Sequence, residues 1–161
     1  MWPFNKQSKN EIRLTDEEKE AVDREWKIFV SAAPKEEGAG EWYAPKEVVD
    51  VLQRTMASQA LLDLAKRYLM ETEGSLADKA NQSILFEKAA AAAVKAVAID
   101  SDPLNLYKAG EIFEKVNKIE EARTFFRNFL ALAPKLLEEK DGNYKWVVQH
   151  AIDDINSKNI L

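Results

Sequence analysis

Cysteine is absent from the chain, which excludes disulfides, thiolate metal sites and cysteine nucleophiles. His150 is the lone histidine, and no serine or second ligand stands at a useful spacing, so a nucleophile–base pair is not expected. Glycine and proline number five each and fall mostly between periodic segments, where they punctuate helices. Gly38-Ala39-Gly40 follows no strand pattern, so no phosphate-cradling loop is expected. No apolar run approaches the ~20 residues that span a bilayer. Met1 to Lys6 is followed by polar residues, so no secretory apolar core is expected, and the absent thiols fit a reducing compartment; a cytoplasmic location is the expectation.

What is present reads as a globular chain. Hydrophobic residues make up 46% and charged residues 32% of the 161 positions, enough for one domain with its own core. The net charge is −5, and bases alternate with acids, as in Lys118-Ile119-Glu120-Glu121-Ala122-Arg123. A nucleic-acid partner needs clustered Lys and Arg to displace counterions, so none is expected. The acidic pairs, Asp16-Glu17-Glu18 and Asp153-Asp154 among them, are expected at helix starts or in solvent. They converge on no metal pattern, and no cofactor is expected.

Residues 1–14 form an expected tail that includes Trp2-Pro3-Phe4, and one helical domain is expected over 15–161. Thr15-Asp16-Glu17-Glu18 is a capping box, followed by an apolar stripe at Val22, Trp26, Phe29 and Ala33 that Pro34 stops. Pro45 suits the first turn of a second helix, whose stripe from Val48 to Tyr68 either runs to about Glu73 or bends near Ala57-Ser58. A third helix is expected from about Leu76 to Ile99, carrying the alanine run from Ala89. Leu104 to Val116 and Ile119 to Ala133 make a tight pair that Pro134 closes. A last helix carries Tyr144, Val148, Ala151, Ile152 and Ile155 on one side. No segment alternates with a period of two, so no sheet is expected.

The order Leu106-x2-Ala109-Gly110-x2-Phe113, Ala122-x3-Phe126 and Pro134 resembles the tetratricopeptide repeat. Gly110 and Ala122 are small, so antiparallel helices can approach closely there, with Leu106, Phe113, Phe126 and Phe129 filling the space around the contact. The chain departs from the family at three positions: Leu106 for the usual tryptophan, Ala109 for leucine and Phe129 for alanine. The clearest repeat covers 104–134. A degenerate copy covers 58–100, where Leu61-x2-Leu64-Ala65-x2-Tyr68 matches a first helix. Helices 15–33 and 143–157 are the natural caps, since repeats bury their faces only against neighbours. The resemblance implies an all-α, right-handed stack of antiparallel helix hairpins, about six helices in all.

The same resemblance implies a groove lined by the outward side of each first helix. Carried onto this chain, the groove positions are Leu62, Lys66, Leu69 and Met70 in the earlier pair and Tyr107, Glu111 and Glu114 in the later one. Several of these are too apolar for a face wholly in water. The expected function is therefore a non-enzymatic protein-interaction module, adaptor or chaperone-like, that takes a peptide or helix of another protein in that groove. Two other readings stand beside it. The groove is filled by the chain's own N-terminal helix, or the apolar face makes a homodimer and the chain is a self-associating structural subunit. An enzyme subunit would need a polar pocket converging on His150 or the acidic pairs.

Overall fold

A computed structural model describes residues 12–32, 46–74, 78–139 and 142–161. The Trp2-Pro3-Phe4 tail and the loop from Lys35 to Gly40 lie outside them. Six helices and no strand are found among the described residues: α1 (Asp16–Ala32), α2 (Lys46–Gly74), α3 (Lys79–Ile99), α4 (Pro103–Lys115), α5 (Ile119–Glu139) and α6 (Gly142–Lys158). None of them is long and apolar enough to cross a membrane.

Local chemistry sets several of the boundaries. The Thr15 N–H donates to Glu18 Oε1 at 2.8 Å and the Glu18 N–H donates to Thr15 Oγ1 at 3.2 Å, a reciprocal box that satisfies two orphan donors of the first turn. Asp78 and Asp102 cap α3 and α4 by accepting from the backbone N–H of Asn81 and Leu104, both at 2.9 Å, and Pro103 opens α4, where a missing N–H costs nothing. Asn117 takes the left-handed conformation, φ 64°, and the Lys118 N–H closes on the Phe113 carbonyl at 2.9 Å. This brings α5 back along α4 within three residues, Val116 to Lys118.

One expected boundary is corrected, and one left open is decided in favour of a helix that runs on to about Glu73. Pro134 does not close the α4–α5 pair; it sits inside α5, which continues to Glu139. The proline is exposed, so the Leu130 carbonyl that loses its i+4 donor is not forced to stay unsatisfied in a core. The alternative bend at Ala57-Ser58 is absent, and α2 is one helix of 29 residues. The Ser58 hydroxyl, which could compete for its own backbone, instead donates across to the Ala96 carbonyl of α3 at 2.8 Å. Ser58 Oγ also accepts from Asn105 Nδ2 of α4 at 3.0 Å, and that amide reaches the Asp100 carbonyl at 3.1 Å.

The packing order is that of stacked hairpins. α2 pairs with α3 and α4 with α5; α1 lies on α2, α3 on α4, α5 on α6, and the first helices α2 and α4 touch side by side. The alanine run explains the first pair: Ala89, Ala90, Ala92, Ala93 and Ala96 are all buried, so the α3 backbone comes close to α2. Gly110 explains the second. A Cβ placed there would sit 2.6 Å from Phe126 Cδ1 and 3.0 Å from Cζ, with Phe126 and Ala122 both fully buried. The Phe126 ring of α5 lies against the bare backbone of α4 at Gly110. All six helices contribute buried residues to one core cluster.

Candidate protein-binding surface

The outward residues of α2 and α4 meet different surroundings. Leu62 is 0% exposed and Leu69 is buried beside it, so the expectation that they line an open groove is corrected. The reason is the number of neighbours: α1, α3 and α4 all pack on α2, and a side chain off the main stripe still lands against one of them. Lys66 is exposed and Met70 is 67% exposed. These two remain on the surface.

On α4, Tyr107, Glu111 and Glu114 are half-buried, and α6 engages them. The Tyr107 hydroxyl donates to Asp154 Oδ2 at 2.6 Å, and its ring lies 6.1 Å from that of Phe126 and 5.8 Å from that of Phe129. Lys158 Nζ donates to Glu114 Oε1 at 2.9 Å and lies 3.5 Å from Asp154 Oδ2. Spacings of three and four put Tyr107, Glu111 and Glu114 on one stripe of α4, and a spacing of four does the same for Asp154 and Lys158 on α6. The later half of the expected groove is therefore taken by the chain's last helix rather than left open.

This contact has a defined electrostatics. Burial, then the nearby Asp154 charge, holds the Glu111 carboxyl above the ordinary carboxylate value, against the opposing pull of Lys158, Lys66 and Lys115. Burial and the bond to Asp154 also raise the Tyr107 phenol. For Lys158, burial acts downward, but the hydrogen bond and charge of Glu114, with Asp154, outweigh it and the ammonium is stabilised. A carboxyl whose folded pKa is raised gives stability that is present below its unfolded value of 4.5 and fades as pH rises through the folded value. Glu111→Gln stays neutral throughout. Its thermal midpoint should match the wild type near about pH 4 and exceed it increasingly towards about pH 7; parallel curves would contradict this assignment.

Glu18 holds the helix start as the capping box implies, and it is buried besides. Its side chain is 4% exposed and accepts from Lys95 Nζ of α3 at 2.6 Å, so one carboxylate serves both the helix cap and a link across the stack. Glu17 accepts from the Tyr68 hydroxyl and, at 3.2 Å, from Lys88 Nζ; these two donors hold its carboxyl below the ordinary value. His150 stacks on Trp146 with centroids 5.6 Å apart, and both are exposed. Four residues apart on one helix, they form a local surface pair. Among the described residues no three His, Asp or Glu side chains are placed to hold a metal ion.

One surface was not located by sequence reasoning. Ser58 of α2 is level with Ala96 of α3 and Asn105 of α4 through the bonds given above. α3 ends at Ile99 and α4 starts at Pro103, whereas α2 starts at Lys46. The first ~9 residues of α2, some 13 Å at 1.5 Å per residue, therefore project past both neighbours. No residue of 46–56 is buried, although Val48, Val49, Val51, Leu52 and Met56 lie there. Val48 is 46% and Val51 51% exposed. The signal was in the sequence as an apolar stripe from Val48, but its cover depends on where α3 and α4 end. No family model matches the chain, and comparison with curated proteins and with solved structures likewise gives no match.

Proposed function

We propose that the chain is a non-enzymatic protein-interaction module, adaptor or chaperone-like, which holds a peptide or helix of another protein along the outward stripe of α2. Val48, Leu52, Gln59, Lys66 and Met70 recur on α2 at intervals of four and seven and so share one side of it. The carrying observation is that this side is apolar at both ends and open: Val48 and Met70 are exposed, and Leu52 and Gln59 are only half covered. Burial of Val48, Leu52 and Met70 would supply affinity. Lys66, whose charge is felt by Glu111 on α4, would orient an acidic group of the partner. The close contact of Gly110 with Phe126 supports the tetratricopeptide-like reading of the stack, because that nesting is what the resemblance requires at these positions.

The test is affinity capture with the full chain against the double variant Val48→Glu/Met70→Glu. Both positions are exposed, so helicity and melting should hold within about 0.5 kcal/mol. Proteins retained by the wild type should be lost from the variant. An unchanged captured set would remove the outward stripe of α2 from the function.

A further inference from the structure

The contact between α4 and α6 gathers three carboxyls, Glu111 and Glu114 of α4 and Asp154 of α6, around one ammonium, Lys158. Lys158 is engaged by Glu114 at 2.9 Å and by Asp154 at 3.5 Å. Glu111 lies within hydrogen-bonding reach of the Tyr107 hydroxyl, but that hydroxyl has one proton and gives it to Asp154 at 2.6 Å. An ionised Glu111 therefore faces the Asp154 charge with no hydroxyl proton to accept. A protonated Glu111 is itself a donor, and the Tyr107 oxygen keeps lone pairs that accept from it. The other groups acting on Glu111 are Lys158 of α6, Lys66 of α2 and Lys115 of its own helix; α5 sets the Phe126 and Phe129 rings beside Tyr107. Burial and Asp154 outweigh the three cations, so the carboxyl holds its proton above the ordinary value.

We propose that Glu111 is the proton-sensing residue of a latch that sets how firmly α6 covers α4. With a proton on Glu111, hydrogen bonds run unbroken from Glu111 through Tyr107 to Asp154 and fasten one helix to the other. When that proton leaves to solvent, the chain loses its first link, Glu111 and Asp154 repel across the contact, and α6 loosens. The sign follows from linkage: the fastened state is fully present below pH 4.5, the ordinary carboxyl value, and is lost as pH rises through the folded value. α6 is suited to opening by itself. It places three residues in the core, Val148, Ala151 and Ile155, against six from α4. Its release uncovers Tyr107, Glu111 and Glu114 at less cost than unfolding the hairpins beneath.

Amide exchange of the full chain, read as protection relative to intrinsic rates, tests the latch. At about pH 7.5 the amides of 148–156 should be at least about tenfold less protected than those of 60–69, as local opening is against global opening. Equal protection overturns the proposal. Glu111→Gln places a permanently neutral donor at the same position. Its protection across 148–156 should match the wild type near pH 4.5 and exceed it at least about threefold at about pH 7.5. A ratio that does not change with pH overturns the assignment; His150 of α6 is common to both proteins and cancels in it. Tyr107→Phe removes the middle of the chain and should lower protection of 148–156 at about pH 5 at least about threefold; an unchanged α6 overturns the proposal. Should a variant lose its fold, the wild-type comparison of 148–156 with 60–69 decides. No arm uses a partner, so the latch stands or falls apart from capture by Val48 and Met70.

Discussion

Glutamate in place of Leu62 is expected to abolish the cooperative thermal transition. The side chain is fully buried between α2 and its neighbours. Removing its methyl groups alone costs about 2–5 kcal/mol, and an unpaired carboxylate in the same space adds several more. A domain of this size has about 5–15 kcal/mol in total, so little or nothing is left. Circular dichroism should find a broad, weakly helical profile, with Leu62→Ala intermediate. A Leu62→Glu chain that melts like the wild type would place Leu62 in an open groove instead of the core.

The second large effect lies at the contact between α4 and α5. Phe126 is fully buried against Gly110, so Phe126→Ala should cost about 3–5 kcal/mol. Gly110→Leu should cost a similar amount by the opposite route, because its first carbon falls well inside the contact distance of the ring and overpacking forces strain. Gly110→Ala is milder: about 1–3 kcal/mol of crowding offset by about 1 kcal/mol of helix propensity. The informative measurement is a double-mutant cycle by urea unfolding. Gly110→Ala should be less harmful beside Phe126→Leu than beside Phe126, giving a coupling of about 1 kcal/mol or more. Additive losses would mean that the two residues do not nest.

These cases also mark where sequence reading reaches and where it stops. The Thr15–Glu18 box and a close approach of α4 and α5 at Gly110 were legible because each depends on residues close in sequence or on a size rule that one helix pair can satisfy; that Phe126 is the side chain meeting Gly110 was not. Leu62 was not, because periodicity tells which residues share a side of a helix and not how many sides are covered; α2 is packed on three. Tyr107 and Asp154 are 47 positions apart, and nothing local foretold that α6 would lie against α4. Pro134 misled for the converse reason. A proline ends a helix only where the carbonyl it frees cannot be satisfied, and that depends on exposure. The start of α2 fell between the two: its apolar stripe was visible from Val48 onward, but its exposure follows from α3 stopping at Ile99 and α4 starting at Pro103.

The functional account rests on cover of α2 ending where its neighbours end. Because the native chain has no cysteine, single thiols report on it without background. Alkylation rates of Val51→Cys, Leu62→Cys and Ala65→Cys, measured on dilute protein, should separate sharply, with Val51→Cys reacting at least about a hundredfold faster, as expected for local exposure against global opening. Equal rates at the three positions in dilute solution would contradict the account.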